Sequence, residues 1–537
     1  MFHEHLLIVL SLLFAVFMLT MLAQKLNISY PIFLVLAGLG ISFIPGIPKI
    51  EVRPEMIFLL FLPPLLYEAA WYTSWNDFWK WRRPVGMLAF GLVFLTSVII
   101  AYVSTAMIPG FTLALGFLLG GIISPPDALA ASSVLKNIKV PQRITTILEG
   151  ESLINDASSL IVFRFALLAV MSGQFSLTQA VGQFFVVSVM GIVIGLLIAN
   201  LMYVVHRYLP TSPSIDTALT LMSPYFMYIA AEEFHFSGVM AVVSGGLFLS
   251  YRSHEIFSTG NARLQTINVW ATVGFVLNGL VFILIGLELP VITGNMGADT
   301  MADGIKYGLV ISLIAIVIRI LYILPIAYVP KWLGNFERAD LRNPTWKGPL
   351  ILGWAGMRGV VSLASALSVP LLMKNGTDFP HRSLILFITF IVILFTLVFQ
   401  GLTLPLLIKW VNIKDSGDFL PAEEQDAAIH LRLMRAALKR LNDKYQDEIK
   451  SNKLVGVLKK QLESDISIAG QRLDCLECGE MEKEGVQLYN TVLLDLYNVQ
   501  RRELFLLRHE RTFSDEEIRR MESELDFDEA KINLKRN

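Results

Sequence analysis

Residues 111–135 read FTLALGFLLGGIISPPDALAASSVL, and residues 347–373 read KGPLILGWAGMRGVVSLASALSVPLLM. Each is an apolar run long enough to cross a hydrocarbon layer of about 30 Å as helix, and each carries its own interruption. In the first, Pro125 and Pro126 stand beside Asp127; every proline removes a backbone donor and frees the carbonyl one turn earlier. In the second, Gly353, Gly356 and Gly359 surround Arg358 and lower helix propensity at mid-membrane depth. Irregular backbone survives at that depth only where protein or a watery cavity satisfies it. Both runs are therefore predicted to be broken helices beside a polar site.

The rest of the chain fits around this pair. Of 537 residues, 54% are hydrophobic and 17% charged, against about 25% charged in an ordinary soluble domain. Residues 1–410 hold 42 of the 89 Asp, Glu, Lys and Arg, and residues 411–537 hold 47. The boundary predicts a membrane domain over 1–410 and a soluble helical domain over 411–537. Two cysteines exclude a disulfide framework. Met1-Phe-His-Glu-His lacks the basic start of a signal peptide, so the first run is expected to stay as a span.

About thirteen spans are predicted, near 5–23, 30–48, 54–73, 84–108, 111–135, 143–172, 177–206, 215–232, 235–251, 263–289, 304–330, 347–373 and 383–410. Lys and Arg collect in alternate loops. Lys25, Lys80, Arg82, Arg83, Lys136, Lys139, Arg143, Arg207, Arg252, Arg263, Lys331, Arg338, Arg342 and Lys347 lie on one side, and Lys49, Arg53, Lys306, Lys374 and Arg382 on the other. The richer side reads as cytoplasmic, which puts the N-terminus outside and the C-terminus inside. The broken runs are the fifth of spans 1–6 and the fifth of spans 8–13. With an odd seventh span between them, the two six-helix halves run in opposite directions, the layout of an inverted-repeat secondary transporter.

Ionisable side chains inside a bilayer are costly unless paired or wetted, so each points to function or to a helix–helix ion pair. Glu68, Asp127, Glu149, Glu151, Asp156, Arg164, Arg319 and Arg358 fall at helix centres. In Leu148-Glu-Gly-Glu-Ser-Leu-Ile-Asn-Asp156, Ser152 and Asp156 share one helical stripe, while Glu151 and Asn155 share the next. Arg358 is the expected ion-pair partner of Glu151, since an unpaired guanidinium at that depth is expensive. The carbonyls freed near Pro125 and Pro126, the Ser152 hydroxyl and the Asp156 and Glu68 carboxylates offer the oxygens that a hard monovalent cation takes. One carboxylate holds a proton or a cation, not both, and that competition couples their movement in opposite directions.

Phe61-Leu-Pro-Pro-Leu-Leu-Tyr-Glu68, Ser124-Pro-Pro-Asp-Ala-Leu-Ala130, Gly150-Glu-Ser-Leu-Ile-Asn-Asp156 and Gly356-Met-Arg-Gly359 resemble the monovalent cation:proton antiporter family of bacterial sodium/proton antiporters and animal sodium/proton exchangers. The resemblance implies thirteen helices, a six-helix core moving like an elevator against a dimerisation domain, and a homodimer. It makes Asp156 the cation and proton carboxylate, with Ser152 and Glu68 as further Na+ ligands, and sets Asp127 where the broken helices cross. Relatives with two adjacent acids are electrogenic, so Asn155 implies one-for-one electroneutral exchange. Where the family often has a threonine beside the fifth-span acid, this chain has Pro125-Pro126-Asp127, which removes a hydroxyl and leaves sodium, lithium and potassium all open.

Further signals are weaker. Gly191-Ile-Val-Ile-Gly195 reads as close helix packing. Arg164 has Glu68, another acid or an outer funnel open to it, and Arg319 has Glu149 or a watery cleft. Glu232-Glu233 read as a solvated helix end or an acidic mouth. No histidine is placed at mid-membrane depth. Cys475-Leu-Glu-Cys478 has metal-site spacing but no second pair to complete it. The tail, with 21 basic and 26 acidic residues, is not a nucleic-acid binder.

The reading is an all-α polytopic transporter of the plasma membrane, in contact with lipid and without a cofactor, exchanging Na+ or Li+ for H+. A K+/H+ exchanger or cation channel is the rival. An intramembrane protease using Asp127 and Asp156 is a remoter one, since Gly-x-Gly-Asp, His-Glu-x-x-His and Gly-x-Ser-x-Gly motifs are all lacking.

Overall fold

A computed structural model describes the chain except for residues 1, 46–56, 136–137, 139, 174–176, 258, 295, 333–345, 374–375, 414–421, 479–482, 511–516, 519, 522–523 and 530–537. The predictions that concern Lys49, Arg53, Lys136, Lys139, Arg338, Arg342 and Lys374 fall outside the described residues. The chain separates into two compact units, Met1–Asp415 and Ser416–Asn537. Among the described residues the secondary structure is helical, apart from one isolated bridge between Leu372 and Asp378.

In the first unit the main helices begin with α1 (Phe2–Lys25), α2 (Tyr30–Ser42), α3 (Leu62–Tyr72), α4 (Val93–Met107), α5 (Leu113–Ile123), α6 (Ala128–Leu135), α7 (Gln142–Ser172) and α8 (Leu177–Tyr208). They continue with α9 (Pro213–Glu233), α10 (Gly238–Tyr251), α11 (Gly260–Leu287), α12 (Ala298–Trp332), α13 (Lys347–Trp354), α14 (Val360–Leu367), α15 (Arg382–Phe395) and α16 (Gly401–Val411). Local chemistry sets their ends. Thr112, Ser212, Ser237 and Thr259 cap α5, α9, α10 and α11 through side-chain oxygens that accept backbone N–H groups. Gly173 ends α7 in the left-handed region at φ 68°, where glycine meets no Cβ penalty.

Eight helical stretches, among them Arg82–Met107, Gln142–Ser172 and Gly260–Thr293, are long and apolar enough to cross a membrane. Tyr30–Ser42, Phe58–Tyr72 and Gly238–Tyr251 are shorter apolar helices. Large apolar side chains face outward, Phe14 at 63% and Leu197 at 65% exposure, as hydrocarbon-facing positions require. Without a hydrophobic drive between helices, close backbone approach supplies the packing. A Cβ on Gly195 of α8 would lie 2.1 Å from the Ala241 carbonyl of α10, and one on Gly191 would lie 2.6 Å from that of Ser237. The Gly191–Gly195 pattern is thus a helix contact.

Buried apolar side chains form two clusters. The larger draws on α1, α2, α3, α4–α7 and α11–α16; the smaller draws on α3 and α8–α10, with Leu153 and Ala157 of α7 and Trp270 of α11. Helix α7 has Leu148 and Phe163 in the first and Leu153 and Ala157 in the second. It lies along the seam, and the polar residues read from its sequence lie on it.

The second unit holds α17 (Ala422–Lys444), α18 (Lys453–Cys478) and α19 (Lys483–Glu510). Ala427 and Leu431 of α17 and Ala469 of α18 are buried. Arg501 of α19 binds Asp526 at 2.5 Å and also Glu529. Cys475 and Cys478 sit in the last turns of α18; their side chains lie outside the described ones.

Candidate ion-binding site at the helix crossing

The two interrupted runs break where their sequences break. Helix α5 stops at Ile123, Ser124–Asp127 are unwound, and α6 begins at Ala128; α13 stops at Trp354, residues 355–359 are unwound, and α14 begins at Val360. The two unwound segments bond to each other, with the Asp127 N–H donating to the Met357 carbonyl at 2.7 Å. Breaking a helix in a membrane exposes carbonyls at one stump and N–H groups at the other, and the surrounding side chains answer that demand group by group.

The carbonyl ends carry partial negative charge, and arginines reach them. Arg358 Nε donates to the Ile123 carbonyl at 3.0 Å, and its Nη1 donates to Gly356. Arg319 Nε, from α12, donates to the Leu352 carbonyl at 3.2 Å. Gln400 Nε2 donates to the Trp354 carbonyl at 2.7 Å, and Thr396 Oγ1 accepts the Arg358 N–H at 3.1 Å. The N–H ends carry the opposite partial charge and receive an anion. Asp127 Oδ1 accepts the Leu129 N–H at 2.9 Å at the start of α6, and its Oδ2 lies against Gly359, the residue before α14.

Helix α7 stitches onto this crossing. Ser152 Oγ accepts the Ala128 N–H at 3.3 Å, and Asn155 Nδ2 donates to the Pro126 carbonyl at 3.0 Å. One turn on, Asp156 is 7% exposed, and its carboxylate makes no hydrogen bond or ion pair among the described residues. Buried oxygens without a partner nearby are Asp127 Oδ2 and Asn155 Oδ1. The place is rich in oxygen and carries an acid with no counter-charge bonded to it among the described residues, which suits a hard monovalent cation or a proton.

Two sequence readings change, the partner of Glu151 and the partner of Arg319, and a third narrows, since Arg164 takes another acid. Glu151 does not pair with Arg358. It takes a two-pronged bond from Arg319, at 2.5 and 2.8 Å, with both side chains 1% exposed. The reason lies in Gly356: a Cβ there would fall 2.3 Å from Arg319 Cδ, so the glycine opens the path along which Arg319 reaches Glu151. Arg358 is thereby left to the carbonyl ends. Arg164 pairs with Glu232 at 2.8 and 2.7 Å, so Glu232 is neither a free mouth residue nor a bare helix end.

Glu68 packs against α11. Its Oε2 lies where a Cβ on Gly274 of α11 would be 1.9 Å away, and it makes no hydrogen bond among the described residues. No group of three His, Cys, Asp or Glu side chains close enough to hold a metal ion occurs among the described residues. Sequence reading missed Thr396 and Gln400. Their signal is the pair of polar residues inside the apolar run Phe395-Thr-Leu-Val-Phe-Gln400, which forms a π turn over Thr396–Gln400 that aims both inward.

The profile of the family described as "Sodium/hydrogen exchanger, transmembrane" matches residues 10–410. A "Sodium, potassium, lithium and rubidium/H(+) antiporter" of Bacillus pumilus is 32% identical over 77% of this chain, and its namesake in Bacillus subtilis is 36% identical over 70%. The chain spans 62% and 58% of the length of those two relatives. Among solved structures, the sodium proton antiporter MjNhaP1 of Methanocaldococcus jannaschii superposes with a TM-score of 0.60 at 19% identity, covering 75% of this chain and 97% of that one. Matching residues 10–410 end to end, the chain belongs to the sodium/hydrogen exchanger family of multi-pass membrane proteins.

Proposed function

We propose that the chain is a secondary antiporter exchanging Na+, or a related monovalent cation, for H+ at Asp156. The observation that carries this reading is the Asp156 carboxylate itself, buried beside two broken helices and left without a hydrogen bond or counter-charge among the described residues. An acid held this way has two stable conditions, protonated or cation-bound. Ser152, the unwound carbonyls and the Asn155 amide oxygen are the neighbours that would complete the cation's shell. Asp127 supports the helix ends and is not itself a carrier. Glu68, set against Gly274, belongs to the approach to the site.

The finer reading is exchange of one cation for one proton, thirteen spans in two inverted six-helix halves, and elevator-like movement of the core in a homodimer. The protein would lie in the plasma membrane with residues 411–537 on the cytoplasmic side. Electroneutrality rests on Asn155. Its amide donates to the Pro126 carbonyl, a bond that an ionised aspartate at the same place could not make, so the site carries one titrating acid. A second reading, in which K+ is also carried, is favoured by the names of the two Bacillus relatives and by the missing hydroxyl at Pro125-Pro126.

The test is proton flux in proteoliposomes holding a pH-sensitive dye, with Na+, Li+ and K+ added in turn, with and without an imposed potential. Saturable Na+- or Li+-driven flux indifferent to potential is expected. Flux driven best by K+ moves the protein to the second reading, and steep dependence on potential overturns the one-for-one stoichiometry.

A further inference from the structure

Two turns along α7 from Asp156, Arg164 reaches out of the helix to Glu232 at the end of α9. Its Nη2 donates to both carboxylate oxygens, at 2.8 and 2.7 Å. Glu232 Oε1 also accepts the Gly238 N–H at 3.2 Å, the first residue of α10, so the carboxylate is anchored in the joint between α9 and α10. Helices α9 and α10 build the smaller apolar cluster, whereas Phe163 and Ala166, one before and two after Arg164 on α7, belong to the larger. The pair therefore crosses the seam on which Asp156 lies. It is placed at the end of α7 remote from Arg143, away from the Lys- and Arg-rich loops.

Exposure separates this bridge from the other arginine–carboxylate bridge of α7. The Arg164 and Glu232 side chains are 43% and 30% exposed, against 1% for each partner in Glu151–Arg319. Where water reaches a pair, its two ions part at small cost; a fully buried pair strands two charges and holds. Only the exposed one can be made and broken in every cycle.

We propose that Arg164 and Glu232 form a latch that closes the outer end of the seam, and that Asp156 gains access to the outer side only when the latch opens. The proposal rests on the antiport reading. Leu160, four residues from Asp156 and four from Arg164, lies between them on the same stripe of α7 and is the side chain that opening would wet.

The experiment uses the full chain carrying Cys475→Ser and Cys478→Ser, which removes its two cysteines, together with Leu160→Cys, in right-side-out vesicles. A membrane-impermeant maleimide is added outside. Glu232→Gln and Arg164→Gln are each expected to raise the labelling rate at position 160 by about fivefold or more, the low end of two-state coupling. The charge exchange Arg164→Glu with Glu232→Arg is expected to return it to the parent rate. Equal labelling in all four proteins overturns the latch, and so does a drop in thermal stability of the single variants without a labelling change. Parent vesicles are assayed in parallel for Na+-, Li+- and K+-driven proton flux. No flux with any of the three, combined with raised labelling in the variants, sinks the antiport reading while the latch stands.

Discussion

Glu151 and Asp156 lie five residues apart on one helix, both buried, and the protein treats them in opposite ways. Glu151 receives both prongs of Arg319, and the guanidinium is held again by the Leu352 carbonyl. Asp156 receives nothing from the described side chains. Desolvation cost is common to both, so what separates them is whether a counter-charge is built beside the acid, and in the antiport reading we propose, that is what separates a structural acid from a working one. A bound pair locks three helices, whereas an unanswered carboxylate must take its partner from solution.

The most severe test of that contrast is Asp156→Asn, which keeps volume and removes the charge. Na+-driven proton flux should fall to the level of protein-free vesicles while yield and thermal unfolding in detergent stay as in the parent. Residual coupled flux would move the carrier to another residue.

On the structural side, Arg319→Ala leaves the buried Glu151 without the guanidinium that is hydrogen-bonded to it, a loss of about 3–5 kcal/mol, read as collapse of folded yield or a large fall in Tm. Replacing both partners by leucine should recover much of it. Arg358→Ala removes donors from the Ile123 and Gly356 carbonyls without stranding a carboxylate, so its cost should be only about 1–3 kcal/mol. If Arg358→Ala proves the worse of the two, the assignment of Glu151 to Arg319 fails.

A smaller effect is expected at Ser152, which touches both roles. Ser152→Ala removes the acceptor for the Ala128 N–H, at about 0.5–2 kcal/mol as for other helix caps, and should also raise the apparent KM for Na+ with little change in Vmax. A change in Tm without one in KM would assign Ser152 to the structure alone.

The least effect belongs to Glu255, an acid outside the spans. The Tyr203 hydroxyl, donating to it at 2.5 Å, holds its carboxyl below the usual carboxylate range; desolvation opposes this, and the nearby Arg252, His254 and Arg207 add to the lowering. A carboxylate depressed in the folded state contributes stability that is present above its unfolded value, about 4.3, and lost as pH falls through the folded value. The Tm difference between the parent and Glu255→Gln should therefore be small at neutral pH and vanish on acidification. A difference that grows in acid would contradict the Tyr203 contact.

The breaks in the two crossing helices were legible because proline and glycine act on their own backbone. Pro125-Pro126 and the Gly353–Gly359 cluster interrupt a helix whatever packs around them. The stripe containing Ser152 and Asp156 was legible because helical spacing alone puts residues four apart on one face. The partners of the arginines were not. Arg319 and Arg358 are both long enough to reach an acid on α7, and sequence distance says nothing of which one arrives. Gly356 decided it, by leaving a lane that a Cβ would have closed, and that lane exists only once α12 lies across α13. Likewise Thr396 and Gln400 looked like minor polar residues in an apolar run until a π turn brought them to the unwound segment.

By itself, then, the amino-acid sequence determined where the chain is apolar enough to enter a membrane, where its helices break, and which polar residues of α7 share a stripe, because hydropathy, missing donors and helical period are local properties. Only the tertiary structure decided which charges neutralise one another, because an ion pair depends on a few ångströms of approach between helices far apart in the chain.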